Sequence, residues 1–332
     1  MDRKTTIQPR RGRRWLKRIS LSLLLLIACL LAAGLIYQAV GAQADASSFP
    51  PPGQLVRVGD TRLHLYCMGS GSPTVILETL SGGTSVSWAW VQPEIARTNR
   101  VCSYDRAGRG WSEPGAPPAD LWGTAENLHT LLQTAGIEGP YVLVGHSIGG
   151  LYVRAFTSRY PQEVAGLVLV DSAHPFQFER FPEFAAEQES YNTISQFFPA
   201  LARLGLFRLM FTTGGEIDFQ DLPPRQHDEL AAFWSSPEYF LSQRAESLVA
   251  PTIYSQAQEL PDLGDLLLAV VTAGQSTPAW LSLQDDLAAL SSNSIHLTIE
   301  EANHASLAFH PEHARQTSQA IMQVVQAFQA GE

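Results

Sequence analysis

The chain contains 332 residues, of which 45% are hydrophobic and 16% are charged, proportions typical of globular rather than disordered proteins. Eight of its 22 basic residues precede residue 19, so residues 19–332 carry 14 basic and 31 acidic groups. Such an acidic body argues against nucleic-acid binding, which needs a basic surface. The sequence also has neither a zinc-type Cys/His cluster nor a phosphate-binding GxxxxGK(S/T) loop, and we expect no metal, organic cofactor or nucleic-acid partner.

The N-terminal part of the chain divides into a basic segment, residues 1–18, and an uncharged segment rich in Leu, Ile and Ala, residues 19–40. The second segment is long enough to cross the ~30 Å hydrocarbon core of a bilayer as one helix, and longer than the roughly 7–15 apolar residues of a signal peptide. Basic segments stay in the cytoplasm, so we expect a single-pass anchor in the cytoplasmic membrane with residues 41–332 outside. Residues 42–44 resemble a signal cleavage site, and secretion after cleavage is the alternative.

Residues 41–53 are small and polar and then proline-rich, which predicts a linker that holds the following domain away from the bilayer. Beyond it, apolar runs between turn signals predict a series of strands. They cover residues 55–58, 62–68, 74–78, 100–104, 141–144 and 166–171. Helices are predicted at residues 88–97, at 119–135 and after residue 150. The alternation of strands and helices predicts an α/β fold with a mostly parallel sheet covered on both faces.

The alternation stops after Pro175. Residues 176–262 have helical periodicity and many aromatic residues but no convincing buried strand, and we interpret them as an inserted helical cap that roofs an apolar substrate pocket. The alternative is a packing subdomain with these aromatics in its own core. Strands at residues 266–272 and 295–300 and helices at 278–290 and 311–328 resume the pattern, so the predicted core comprises residues 54–175 and 263–332.

A glycine-rich turn at residues 145–150 separates a buried strand from an amphipathic helix. Gly145 and Gly149 lack the Cβ atoms that would collide in so tight a turn, and Ser147 lies at its apex. A serine at this position projects above the edge of the sheet, which predicts that Ser147 is a catalytic nucleophile. The alternative is a structural turn that merely contains a serine.

A serine hydroxyl needs a base to attack, and usually a third group that orients the base. His304 lies in the loop between the last predicted strand and the last helix. That loop opens at the carboxyl edge of the sheet, the same edge as the Ser147 turn. The remaining histidines fall within the turn itself, in strands and helices, or at the start of the last helix, so His304 is the predicted base.

Three segments together resemble the α/β-hydrolase superfamily: residues 103–112, residues 145–150, and the pair Asn303 and His304. The resemblance covers about residues 54–330, and the chain is similar in particular to bacterial serine hydrolases with a helical cap. It implies an eight-stranded, mostly parallel sheet with helices on both faces and an inserted cap. It also implies a Ser-His-acid triad and an oxyanion hole, with the anchor in a bacterial cytoplasmic membrane.

The acid is where the sequence departs from the family pattern. The usual position follows the penultimate strand, where residues 270–278 contain no carboxylate. Some family members carry the acid after the strand that follows the nucleophile, which here is Asp171. We expect Asp171 to orient His304, with Asp285 or Asp286 as the next candidates. A turn or helix-cap aspartate is the structural alternative for Asp171.

The oxyanion hole requires two amide donors. The resemblance implies that one is the N–H of Ile148 and that the other follows the third strand, where relatives usually carry His-Gly. Here the donor is predicted at Ser81, or at Leu80 if the loop differs by one residue. A phosphate-binding glycine loop is excluded because no helix with a Lys follows. Asp105 and Arg106 are expected to organise the entrance structurally.

Cys67 and Cys102 end two predicted strands that the superfamily's sheet order would make neighbours. In an exported domain such a pair can form a disulfide, and two buried thiols are the alternative.

These observations predict a serine hydrolase that cleaves a small-to-medium apolar carboxylic ester through an acyl-enzyme, with an amide, thioester or lactone as alternative substrates. A serine at position 147 argues against haloalkane dehalogenase or epoxide hydrolase chemistry, for which relatives use aspartate. One alternative is a cofactor-free perhydrolase or C–C hydrolase with the same triad. The other is a non-catalytic module that binds a ligand or partner, favoured by the missing carboxylate after the penultimate strand and disfavoured by Ser147 and His304.

Overall fold

The computed structural model describes residues 10–115, 118–214 and 221–331, with side chains from Trp15 onward. The eight strands lie close to their predicted positions: β1 Gln54–Val58, β2 Thr61–Met68, β3 Thr74–Glu78, β4 Val101–Tyr104, β5 Tyr141–His146, β6 Val164–Val170, β7 Leu267–Ala273 and β8 Ser294–Ile299. The helices in chain order are α1 Arg10–Ser48, α2 Val91–Ile95, α3 Leu121–Thr134, α4 Gly149–Arg159, α5 Gln177–Arg180, α6 Pro182–Ser195, α7 Phe198–Arg203, α8 Leu206–Thr212, α9 Pro224–Trp234, α10 Pro237–Ala257, α11 Pro278–Ala288, α12 Ser306–Phe309 and α13 Pro311–Gly331.

The strands form one sheet in the order β1-β2-β4-β3-β5-β6-β7-β8. Pairing is antiparallel between β1 and β2 and between β2 and β4, and parallel for every pair from β4 to β8. The eight-stranded, mostly parallel sheet is therefore confirmed. Since all six parallel strands run in the same direction, the loops that follow β3, β5, β6 and β8 open at one edge.

Helices cover both faces of the sheet. Side chains of α3 and α4 share one hydrophobic cluster with Leu143 and Leu167, whereas α2 and α13 share a second cluster with Val142 and Val168. Successive residues of a strand point to opposite faces, so a strand between two helical layers must be apolar at every position. This is why β5 and β6 are buried along their whole length.

Within the described residues, helices α5–α10 form the insertion between β6 and β7. Its aromatic residues serve both of the roles considered from the sequence. Phe198, Phe207 and Phe240 pack together, with the rings of Phe207 and Phe240 stacked at 4.2 Å, and form a core of the insertion itself. Phe181 and Phe184 instead line the pocket that contains Ser147.

Helix α1 differs from the expectation for residues 41–53. These residues were predicted to be a linker, but the helix continues to Ser48. Alanines at positions 42, 44 and 46 are strong helix formers, and Asp45 pairs with Arg208 of α8 at 2.7 Å, so both propensity and packing favour the helix. Within the described residues, one helical stretch, Trp15–Ser48, has the length and composition to cross a membrane.

Cys67 and Cys102 face each other across the antiparallel pair β2 and β4 and are joined by a disulfide. The prediction that these two strands are neighbours in the sheet is thus confirmed.

Candidate active site

Ser147 lies in the sharp connection between β5 and α4, and its φ of 56° is in the left-handed region. Among the described residues, the only other non-glycine residue with a positive φ is Asp171, at 39°. Backbone hydrogen bonds hold the turn against β6: Ser147 N–H donates to Val170 O at 3.1 Å, and Ser147 O accepts from Ala173 N–H at 2.9 Å. A strained backbone persists only where its surroundings impose it, and such positions cluster at functional sites.

The two glycines that flank the turn allow close backbone approaches. A Cβ on Gly145 would lie 2.5 Å from Gly149 O, inside the turn itself. A Cβ on Gly149 would lie 2.8 Å from Thr79 O, in the loop after β3. The second approach brings the N-terminus of α4 against the loop that carries the predicted oxyanion donor.

His304 is joined to Asp171 by a hydrogen bond of 2.6 Å between His304 Nδ1 and Asp171 Oδ2. The other carboxylate oxygen of Asp171 accepts two further hydrogen bonds, from Ala273 N–H at 3.1 Å and from Trp280 Nε1–H at 3.0 Å. Asp171 is 1% exposed. Burial alone would raise the pKa of Asp171, but these hydrogen bonds and the charge of His304 hold it below its ordinary value. The carboxylate is therefore ionised and directed at the imidazole.

The two other aspartates considered for this position have different partners. Asp285 lies 3.3 Å from the imidazole of His296, and Asp286 pairs with Arg180 at 2.5 Å. The side chain of Asp285 is exposed, and that of Asp286 is nearly half-exposed. Of the three candidates, Asp171 is the one that contacts His304.

His146 was regarded from the sequence only as part of the turn, and the structure assigns it a contact with the His304 loop. Its Nε2–H donates to the backbone carbonyl of His304 at 2.9 Å. Burial, with a smaller effect of the neighbouring His304, lowers the pKa of His146 to about 3. A neutral His146 thus connects the loop that carries His304 to the turn that carries Ser147. Trp280, which donates to Asp171 and lies edge-on to His304, is a second contact that the sequence did not signal.

The residues predicted to supply the oxyanion donors line the pocket that contains Ser147. Leu80, Ser81 and Ile148 line the same pocket as Ser147 and His304. The hydroxyl of Ser81 donates to Glu246 Oε1 at 2.7 Å and accepts from Gln243 Nε2–H at 3.2 Å. The loop after β3 is therefore attached to helix α10 of the insertion.

Arg106 connects this loop to both the core and the insertion. Its guanidinium donates to Thr79 O at 3.0 Å, to Leu80 O at 2.9 Å and to Glu246 Oε2 at 3.0 Å, and it also pairs with Glu78. Burial would lower the pKa of Arg106, but the two carboxylates raise it above its ordinary value. For Glu78, which is 1% exposed, burial dominates and raises the pKa. Asp105 has a separate role, since its carboxylate accepts from Ser85 N–H, Trp111 N–H and His64 Nδ1–H and braces the turn that follows it.

The pocket above Ser147 has a volume of about 720 Å³. Its aromatic walls come from the insertion and from α11: Phe181, Phe184, Tyr191, Tyr254 and Trp280. Glu183 and Glu187, one turn apart on α6, also line it and are exposed. The pocket therefore combines an apolar wall with two unburied carboxylates.

Comparisons with known proteins agree with this architecture. A family model for the α/β hydrolase fold matches residues 73–311. An uncharacterised protein of Schizosaccharomyces pombe is 28% identical over 295 residues, which cover 76% of this chain and 52% of that protein. The 2-hydroxymuconate semialdehyde hydrolase of Pseudomonas sp. is 32% identical over 129 residues, which cover 37% of this chain and 44% of that enzyme.

Among solved structures, a thermophilic esterase of Thermogutta terrifontis superposes with a TM-score of 0.57 at 21% identity, covering 83% of this chain and 98% of that chain. A likeness at this identity shows the fold alone. The chain spans about half or less of the length of the curated relatives it matches. The family match, in contrast, covers most of the chain and includes Ser147, Asp171 and His304. The chain belongs to the α/β-hydrolase family.

Proposed function

We propose that this protein is a serine hydrolase that cleaves an apolar carboxylic ester with Ser147, His304 and Asp171. The observation that carries the proposal is the 2.6 Å hydrogen bond between Asp171 and His304 in a pocket whose wall includes Ser147 at a strained φ. Nucleophile, base and buried orienting carboxylate are the three groups that acyl transfer by serine requires.

In the proposed reaction, Ser147 Oγ attacks the ester carbonyl carbon while His304 Nε2 accepts the hydroxyl proton. Asp171 accepts a hydrogen bond from His304 Nδ1–H and stabilises the imidazolium that forms. The N–H groups of Ile148 and Ser81, or Leu80 in place of Ser81, stabilise the oxyanion. Collapse of the tetrahedral intermediate breaks the bond to the alcohol, which leaves with the proton from His304. Water, deprotonated by His304, then attacks the acyl-enzyme; the bond from the acyl carbon to Ser147 Oγ breaks, His304 returns the proton to Ser147 Oγ, and the acid is released.

The walls of the pocket support a neutral, apolar acyl group as substrate. Five aromatic side chains offer apolar surface, which favours binding of the hydrocarbon part of an ester over binding of a charged group. Glu183 and Glu187 disfavour an anionic substrate because two exposed carboxylates repel it. No metal or organic cofactor enters the proposed reaction.

We further propose that α1 anchors the enzyme in a cytoplasmic membrane with residues 41–332 outside. The uncharged span and the basic segment before it support this orientation. The Cys67–Cys102 disulfide supports it too, since disulfides persist in oxidising compartments. Protease treatment of intact spheroplasts tests the orientation: we expect digestion of the catalytic body, and full protection would contradict it.

The test of the reaction is turnover of p-nitrophenyl acetate, butyrate and octanoate by the full chain in detergent. Ser147→Ala should abolish turnover and labelling by a fluorophosphonate probe, whereas the matched control Ser158→Ala, on α4 but outside the pocket, should retain both. If the parent protein is inert and Ser147 is not labelled, the proposal fails and a non-catalytic binding module replaces it.

One alternative reaction has an observation in its favour. The likeness to 2-hydroxymuconate semialdehyde hydrolase extends over 129 residues and favours C–C bond hydrolysis as the second candidate reaction. A panel of vinylogous diketones distinguishes the two reactions: turnover of these with no turnover of esters would favour C–C hydrolysis.

A further inference from the structure

The C-terminal half of helix α1 packs on the cap helices α7, α8 and α9. At Gly34 the backbones nearly touch, since a Cβ there would lie 2.6 Å from Leu204 O in the connection between α7 and α8. Two turns later, a Cβ on Gly41 would collide with the guanidinium of Arg208. Small residues seven positions apart thus form the face of α1 that meets the cap, as in close helix contacts within membranes.

A buried polar network fixes the same contact. Gln38 is the one amide in the uncharged segment 19–40, and it is buried against the cap. Its Nε2–H donates to Ser235 O at 2.9 Å, and its Oε1 accepts from Arg208 Nε–H at 3.0 Å. Arg208 also pairs with Asp45 at 2.7 Å. Polar groups within an apolar span need such partners, so the network holds α1 in one position on the cap.

The contact lies inside the apolar span rather than beyond its end. A helix rises about 1.5 Å per residue, so Gly34 is about 9 Å below the end of the uncharged segment at Val40. At this level Leu35, Ile36 and Val40 of α1 remain exposed on the other side of the helix. The connection between α7 and α8 therefore lies at the depth of the bilayer's outer hydrocarbon region if α1 spans the membrane.

The cap exposes apolar side chains at this place. Leu206, Leu209 and Met210 have the spacing i, i+3 and i+4 and form one stripe along α8, and Leu209 is 50% exposed. Ile194 and Phe197, just before α7, are also exposed, Phe197 by 61%. We call these five residues the cap stripe. If the domain were surrounded by water, each of these side chains would expose apolar surface to the solvent, which is unfavourable in free energy.

We propose that the cap stripe is seated in the lipid bilayer that α1 crosses, so that the domain rests in the outer leaflet instead of standing away from it on a linker. This inference rests on the proposed anchor. Tyr191, which lines the pocket, is one turn before Ile194 on α6, so the pocket wall adjoins the lipid-facing surface. Lipid is the occupant that the stripe fits, because it continues the apolar surface of α1 at the same depth.

The test measures lipid contact of single labelled cysteines in the full chain reconstituted in phosphatidylcholine vesicles. Cys29, the one cysteine outside the disulfide, lies in the span and is labelled in the native protein as the anchor control. In a Cys29→Ala background, Phe197→Cys and Leu209→Cys carry an environment-sensitive dye on the cap stripe. Ile295→Cys, an exposed apolar position on the edge strand β8, is the matched control. Ester turnover of each variant, measured separately, verifies folding.

We expect nitroxide-labelled lipids to quench most of the fluorescence at positions 29, 197 and 209, and aqueous iodide to quench it at position 295. Quenching at 29 but iodide access at 197 and 209 would overturn the seating and leave the anchor intact. Shielding of 197 and 209 from both quenchers would mean that protein covers the stripe, which also overturns it. Absence of lipid quenching at 29 would remove the anchor and the seating together, without bearing on the ester turnover.

Discussion

Arg106→Met tests whether the buried pairing around the loop after β3 stabilises the fold and the site. The substitution keeps an apolar stem of similar length but removes the cation between Glu78 and Glu246, both nearly inaccessible to solvent. Breaking a buried ion pair costs about 3–5 kcal/mol, because a carboxylate is left without its partner. At roughly 2–4 °C per kcal/mol, the Tm of the variant should fall by about 6–20 °C.

The loss of stability caused by Arg106→Met should also depend on pH, and the pKa of Glu78 determines the direction of that dependence. Burial already raises the pKa of Glu78, and loss of the guanidinium removes the attraction that opposes this rise. When the pKa of a carboxyl group is higher in the folded state than in the unfolded state, the group does not oppose folding at low pH, where it is protonated. It destabilises the folded state as the pH rises through the pKa of the folded state. The loss of stability should therefore be smaller at about pH 5 than at about pH 8. Because two hydrogen bonds to Thr79 O and Leu80 O disappear, kcat should fall as well.

Thermal unfolding of the full chain in detergent, followed by circular dichroism at both pH values, measures the effect. The matched control is Arg97→Met, which breaks the exposed pair between Arg97 and Glu94 and should change the free energy of unfolding by no more than about 0.5 kcal/mol. A Tm equal to that of Arg97→Met, or a deficit that is the same at both pH values, would refute the reasoning.

Three further predictions concern the site, the pocket and the disulfide. Asp171→Asn should lower kcat by a factor on the order of 10⁴, which corresponds to about 5.5 kcal/mol. Trp280→Phe should cause a smaller loss, because it removes one of the three hydrogen-bond donors to the Asp171 carboxylate. Equal activity of Asp171→Asn and the parent in stopped-flow ester turnover would exclude the orienting role. Glu187→Gln should raise kcat/KM for p-nitrophenyl hemisuccinate more than for the butyrate, by a ratio that shrinks with added salt; an unchanged ratio would show that the carboxylate does not act on the substrate. Replacing both Cys67 and Cys102, 35 positions apart, by alanine should lower the free energy of unfolding by about 3–4 kcal/mol in urea titrations without reductant; a free energy of unfolding equal to that of the parent would show that the disulfide does not stabilise the fold.

Local patterns were sufficient to predict the sheet and the sharp turn that carries Ser147. Strands buried on both faces are apolar throughout, and β5 and β6 carry that signal in consecutive residues. The turn around Ser147 is encoded by adjacent glycines. His304 could be predicted because the carboxyl ends of parallel strands share one edge. Asp171 was the first choice for its partner, but Asp285 and Asp286 stayed open, because a loop position alone does not give the direction of a side chain.

The sequence by itself determined the elements that depend on neighbouring residues: the strands, the turn around Ser147, the apolar span and the helical insertion. Only the tertiary structure decided which distant polar groups meet. Arg106 and Glu246 are 140 residues apart, and Gln38 and Arg208 are 170 apart. No periodicity links such residues, since a hydrogen-bond partner is selected by position in space. The same reason explains why residues 41–48 looked like a linker: their helix is stabilised by contacts with a cap that begins more than a hundred residues later.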